Sequence, residues 1–346
     1  MTIEVCDLTP EREAAWSRFV ESHERASLFH SLHWREVLRT TFKHDCRYIM
    51  ATRDGDVRGV LPLVSISSIF FGRSVISVPF GVYGGVVSDD LGASTALIEA
   101  AGRLADQVGA DYAELRHQEV PSGVDLPTHD LHATFICELP ESPDDVLSLI
   151  PRKARAEVRK ARRREDVTTD VGELDLGEFH ALFALNKRKL GSPVFPKSLF
   201  LNLQKTLGDD CRVLTVRVSG NPVSAVMMFA WKDTLMAYYS GARDEANAIS
   251  ANNLMYAAAM EWAVERGLRK FDFGRSRKET GAFAFKRNMG FSPADLHYGF
   301  VLRNGAAIPE INASNPKYRM AQKLFRNLPP FLAEKLGSFV AKRMPV

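Results

Sequence analysis

Two stretches of this chain carry the same order of apolar and polar positions. In the first, Arg47 to Arg53 reads as a strand, Asp54-Gly55-Asp56 as a hairpin turn and Val57 to Val64 as the return strand. An apolar strand and the glycine-rich Tyr83-Gly84-Gly85 follow, then a helical pattern from Ser94 to Val108 ended by Gly109, and a closing strand from Asp111 to Arg116. In the second, Val213 to Val218 is the strand, Ser219-Gly220-Asn221 the turn and Val223 to Ala230 the return. Tyr238-Tyr239-Ser240-Gly241 comes next, then a helix from Ala251 to Arg266 ended by Gly267, and a closing strand from Lys270 to Gly274. A repeated hairpin, strand, helix and strand predicts an α/β fold of two related lobes with mixed sheets and a groove between them.

Outside the repeats, Thr9-Pro10-Glu11 has the composition of a helix start, and Trp16, Phe19 and Val20 share a helix face. Ser31 opens a second helix to about Phe42, and residues 118–132 read as loop before a strand from His132 to Leu139. Helices are predicted over 151–164, Phe179 to Leu190, Pro196 to Leu207 and Glu279 to Met289, with a last strand from His297 to Arg303. The tail reads as two helical pieces broken at Pro329-Pro330. These elements predict a first lobe over 1–150, a second over 151–310 that opens with its helix, and a helical tail over 311–346 packed on the second lobe.

The 346 residues suit two domains, and 45% apolar with 25% charged residues is ordinary for a soluble protein. Cys6, Cys46, Cys137 and Cys211 are widely spaced without a C-x-x-C pair, so no metal site or disulfide framework is expected, and a reducing cytoplasmic setting fits. The opening residues lack a charged-then-apolar leader. Gly59 to Ser88 holds one charge, Arg73, but its prolines and glycines keep the apolar runs too short for a spanning helix; buried strands are predicted. The net charge of +3 is uneven, because Pro151 to Arg164 holds eight bases and one acid, with Ala154, Val158 and Ala161 as a narrow apolar stripe.

Several local sequences resemble the FemAB family of tandem GNAT-type acyltransferases. Ser27 to Trp34 is similar to that family's entry motif, Pro79 to Val86 to its Tyr-Gly-Gly turn, and Arg152 to Asp166 to its basic helix. Asp272-Phe273-Gly274-Arg275-Ser276, then Phe285 to Phe291, resemble its carboxyl-terminal signature. With Asn315 to Arg319, these look most like the FemAB-related proteins of exosortase (PEP-CTERM) and exopolysaccharide systems. The resemblance implies two GNAT-like lobes. It also implies transfer of an aminoacyl or acyl group from an activated ester to an amine on a cell-wall or exopolysaccharide precursor. No cofactor is implied; the donor is an aminoacyl-tRNA or an acyl thioester. One departure disfavours coenzyme A. The stretch where such enzymes carry a glycine-rich pyrophosphate loop is here Gly241 to Asn247, with acids at Asp244 and Glu245.

Lys286 is the leading catalytic candidate, a cation near a strand's carboxyl end that can stabilise an oxyanion, against the alternative of a solvated lysine. Arg275 and Asp272, the further catalytic candidates, flank the same strand end; Asp272 either orients Arg275 or accepts a proton from the attacking ammonium, against the alternative of a structural ion pair that fixes the loop. Tyr239, and Tyr83 in the first lobe, are either carbonyl donors or core. Arg152, Arg155 and Arg159 are the expected phosphate contacts, because dense like charge on one helix is relieved by a polyanion such as tRNA or a nucleotide-linked precursor. Trp34 is read as packing first and substrate-lining second. DNA is not an expected partner. The basic tail, with Leu324, Phe325, Phe331, Leu332, Phe339 and Val340, either touches the inner membrane surface or packs on the second lobe. A non-catalytic binding protein on the same scaffold is the remaining alternative.

Overall fold

Both predicted hairpins form. Ile49–Arg53 pairs antiparallel with Asp56–Leu61, and Cys211–Val218 with Asn221–Trp231. In this computed structural model, which describes residues 2–68, 72–303, 307–309 and 316–344, the chain divides into two units. The described residues up to 131, from 295 to 309 and from 340 to 344 make unit 1. Those from 132 to 294 and from 316 to 339 make unit 2.

In unit 1 the return strand stops at Leu61 instead of running to Val64. Pro62 has no N–H to continue the ladder, and the chain crosses into another sheet as Val64–Ser68. Unit 1 therefore has two sheets. One holds Glu4–Asp7, Ile49–Arg53, Asp56–Leu61 and Val87–Ser88. The other runs Asp45–Cys46, Val64–Ser68, Gly72–Ile76, Tyr112–His117, His297–Leu302 and Thr128–His129. The helix Leu91–Gln107 begins three residues before the predicted Ser94, because the Asp90 side chain accepts from the Ala93 amide and caps it. Its buried Leu97, Ala101 and Leu104 share one core with Ile49, Leu61, Val75 and Leu115, so it bridges both sheets.

Unit 2 has a six-stranded sheet in the order Ile136–Glu138, Lys270–Asp272, Thr234–Ala242, Asn221–Trp231, Cys211–Val218 and Val167–Gly172, and a small sheet in which His132–Thr134 pairs with Ser276–Arg277. Only Lys270–Asp272 and Thr234–Ala242 run parallel. One face buries Leu214, Val226, Met228 and Leu235 against the helix Ala251–Glu265, which carries the basic helix Arg152–Arg162 through the predicted stripe Ala154, Val158 and Ala161. The opposite face is covered by Leu176–Leu190 and Lys197–Leu207.

These boundaries differ from the expected 1–150, 151–310 and 311–346. The predicted strand from His132 to Leu139 breaks at Phe135, and its second piece, Ile136–Glu138, is the edge of unit 2's sheet. The strand His297–Leu302, expected in the second lobe, pairs along its whole length with Tyr112–His117 and so belongs to unit 1. The tail forms two helices, Pro316–Asn327 and Pro330–Ala341. Among the described residues no helix is long and apolar enough to cross a membrane. Of the tail motif Asn315 to Arg319, Asn315 and the side chains after it lie outside what the structure describes.

Candidate active site

In unit 2 the two parallel strands part early. Thr234–Ala242 pairs with Lys270–Asp272 only from Thr234 to Met236. Beyond Met236 the longer strand continues to Ala242 after its parallel pairing has ended, and side chains from the Leu176–Leu190 helix reach it there: Asn186 donates to the Ser240 carbonyl (3.2 Å). On its other side, Met227 pairs with Tyr239 but Met228 with Ala237, so Tyr238 is an extra residue, a β-bulge. The extra residue reverses the facing of everything after it. Leu235 and Ala237 point to the Ala251–Glu265 helix, while Tyr239 turns to the opposite face.

There Tyr239 sits in an aromatic box, with ring centroids 5.5 Å from Phe200, 5.9 Å from Phe183 and 6.0 Å from Phe195. Burial raises its hydroxyl pKa well above the tyrosine range, Tyr238 adds to this, and Arg275 opposes it. Gly241 follows two residues later on the same face. A Cβ there would lie 2.3 Å from the Leu182 carbonyl, so only glycine lets the Leu176–Leu190 helix rest this close to the strand.

That close helix delivers Lys187, which the sequence reading passed over. Its ammonium stands 4.5 Å from the Phe195 centroid and 5.2 Å from Phe183, a cation against two aromatic faces. It has no hydrogen bond or ion pair to a described residue. The residue is half-buried, with its charged end on the inner side. Burial lowers its pKa to about 8, and nearby Arg275 pushes the same way.

Lys286 is 6% exposed and points inward from the helix Gly281–Asn288. Its Nζ donates to the carbonyls of Phe273 (2.6 Å), Gly274 (2.8 Å) and Arg275 (3.3 Å). Three N–H groups meet three carbonyls, so the ammonium is fully used in shaping the loop after Lys270–Asp272. Lys286 is therefore not the solvated lysine of the alternative reading, nor is it open to a ligand. These bonds hold the stretch of backbone that carries Arg275. Burial lowers its pKa to about 8, with Asp272 raising it and Arg275 lowering it. Asp272, 2% exposed, accepts from the Gly274 amide (2.7 Å) and the Thr134 hydroxyl (3.3 Å) through Oδ1, so it too braces this loop. Gly274 takes φ +69°, which allows the turn between them. Arg275 is the common neighbour of Lys187, Tyr239 and Lys286, since it acts on the titration of all three.

The other predicted residues fall elsewhere. Tyr83 and Trp34 belong to the core of unit 1, 4% and 1% exposed, each edge-on to Phe29; they pack, and present little surface to a substrate. Arg152 and Arg159 project from the basic helix into solvent, whereas Arg155 is half-buried and donates through Nε to the Ile150 carbonyl. The same helix pairs Arg162 with Glu261 (2.5 Å) and accepts the Ser250 hydroxyl on Glu157 (2.5 Å). Among the described residues no cluster of metal-ligating side chains occurs.

Residues 151–287 match the family model of an acetyltransferase (GNAT) domain. No curated protein matches the chain. Among solved structures, the chain is similar to FemX at 18% identity, covering 92% of this chain and 100% of that one with a TM-score of 0.64. It is also similar to a tandem GNAT protein from the clavulanic acid biosynthesis pathway, at 13% identity, 89% and 100% coverage and a TM-score of 0.55. A third is the carboxyl-terminal domain of a putative lysylphosphatidylglycerol synthetase from Agrobacterium fabrum, at 14% identity, 86% and 92% coverage and a TM-score of 0.54. The fold is thus a tandem GNAT-type α/β fold.

Proposed function

We propose that the chain is an N-acyltransferase whose chemistry takes place in unit 2, beside the point where its two parallel strands part. The observation that carries this is Lys187 near Arg275 and Tyr239, its ammonium against the aromatic wall of Phe183 and Phe195. An amine attacks an ester or thioester carbonyl only after losing its proton, and the tetrahedral intermediate bears a negative oxygen. With a pKa of about 8, Lys187 is partly neutral near pH 8 and takes the proton of the incoming ammonium. Arg275 supplies positive charge for the oxyanion. Lys286 and Asp272 hold the Arg275 loop in place.

The finer reading is an aminoacyl-tRNA donor and an amine acceptor on a cell-wall or exopolysaccharide precursor. Two observations support it over a coenzyme A thioester. The end of the long strand, where a pyrophosphate would lie on a helix start, carries Asp244 and Glu245 and is bound by Lys189 to Asp244 (2.6 Å). The basic helix also presents exposed Arg152, Lys153, Arg159 and Lys160 for phosphates. The likeness to FemX and the family resemblance of the local motifs point the same way.

The test measures transfer to an amine acceptor by the purified chain, with charged tRNA and with acyl-CoA as alternative donors. Lys187→Met should cut kcat/KM about 100-fold or more. It should also abolish the rise of rate with pH through about 8, with the thermal melt nearly unchanged. Unaltered activity in Lys187→Met would remove Lys187 from the chemistry. A clear preference for acyl-CoA would replace the tRNA donor and leave the transferase reading standing.

A further inference from the structure

The chain's exposed large apolar side chains are not scattered. Of nine on the described surface, six lie between Met320 and Phe339: Met320, Leu324, Phe331, Leu332, Leu336 and Phe339. They fall on one side of each of the two tail helices. On Pro316–Asn327, Met320, Lys323, Leu324 and Asn327 follow i, i+3, i+4, i+7 spacing, while Phe325 is buried. On Pro330–Ala341, Phe331, Leu332, Lys335, Leu336 and Phe339 share a face, while Ala333 and Gly337 lie against the protein. A Cβ on Gly337 would come within 2.5 Å of the Val194 amide, so this second helix is seated tightly on unit 2 with its apolar side outward. Met320 and Phe331 are each 72% exposed and Phe339 is 55%. Phenylalanines held this far into water by a firmly seated helix indicate a surface meant to be covered.

The charges on the same faces identify the cover. Lys323 and Lys335 stand within the two apolar stripes and Arg326 beside the first, all exposed, and Glu334 is the one acid among the described residues of these helices. Placing this surface against a second copy would bring lysine to lysine. An anionic lipid surface instead accepts the rings into its acyl boundary while the lysines reach its headgroups. We infer that the two tail helices of unit 2 form an interfacial anchor that lies in the surface of an anionic membrane without crossing it. The anchor is independent of the transfer chemistry, and its test needs no substrate.

The full chain is sedimented with extruded vesicles of phosphatidylcholine alone and of phosphatidylcholine mixed with phosphatidylglycerol. Binding is expected to the anionic vesicles only, and to fall as salt rises. Lys323→Ala and Lys335→Ala should each weaken it about fivefold, and Phe331→Ser with Phe339→Ser should weaken it by about tenfold or more. Because these side chains are exposed, far-ultraviolet circular dichroism and the melt should not change. Three results would overturn the inference: no binding to anionic vesicles, binding that ignores these substitutions, or a wild-type dimer in light scattering that Phe331→Ser and Phe339→Ser convert to monomer.

Discussion

In unit 1 the loop after the strand Gly72–Ile76 is held by Arg116, which donates through one guanidinium nitrogen to the carbonyls of Val78 (3.1 Å) and Gly81 (3.0 Å). In unit 2 the loop after Lys270–Asp272 is held by Lys286 through three carbonyls. Each is a buried cation gripping backbone oxygens near the end of a parallel strand, but their electrostatics differ. Arg116 is paired with the buried Glu114 (2.8 Å), an opposite charge. The loop it holds is secured again from other sides, by Tyr298 to the Val82 carbonyl (3.0 Å) and Ser27 to the Tyr83 carbonyl (2.5 Å). Lys286 has a pKa of about 8 and lies beside Arg275, a like charge. Unit 1 has the arrangement of a scaffold. Unit 2 keeps its cations close to neutrality and close to one another, an arrangement that costs stability and suits chemistry.

Removing the scaffold's cation should do the most damage. Arg116→Leu leaves Glu114 buried and unpaired and should cost about 3–5 kcal/mol in urea unfolding. Gly241→Ala forces a methyl into the Leu182 backbone and should cost about 1–3 kcal/mol. It should lower transfer as well, because it displaces the helix bearing Lys187. Lys286→Met leaves three carbonyls without their donor but also removes a buried charge, so the stability loss should stay near 1–2 kcal/mol. Activity should fall further than stability, as the Arg275 loop relaxes; equal loss of both would make Lys286 purely structural. A pH series sharpens the comparison. Both Lys187 and Lys286 have folded pKa values lowered to about 8, so between about pH 8 and the ordinary lysine range the unfolded chain binds more protons. Wild-type stability should therefore rise through that window, and a Lys187→Met, Lys286→Met double variant should lose the rise. The smallest effect belongs to the partly exposed Arg162–Glu261 pair, where Arg162→Ala should cost less than about 1 kcal/mol.

How much of this was readable in the chain varied with the range of the interactions. The hairpins at Gly55 and Gly220 and the stripe Ala154, Val158, Ala161 are local patterns, and the structure has them where the sequence puts them. The break at Pro62 has an equally local cause, since a proline without an amide is a poor residue to carry a strand onward, yet the apolar run on both sides of it reads as one strand. The partner of His297–Leu302 had no local sign, since an antiparallel edge can be filled from any distance along the chain. At the candidate site, Lys286 and Asp272 stand out in the sequence through their motif, but their inward-facing bonds depend on a loop that only the fold defines. Lys187 was hidden in a run of three cations, Lys187-Arg188-Lys189, that looks like an ordinary helix end. Phe183, one turn earlier, was the available signal that one of the three faces an aromatic wall.

The pairing of Tyr112–His117 with His297–Leu302 also bears on the order of assembly. As the chain leaves the ribosome, the strand Tyr112–His117 emerges with one long edge open. It waits while all of the 132–294 segment is made before its neighbour arrives. Unit 2's six-stranded sheet, by contrast, needs nothing beyond Asp272. The later-made unit can therefore complete its sheet first. Until then the earlier one offers an unpaired strand, the stage at which a nascent chain is most open to wrong pairing and to chaperones.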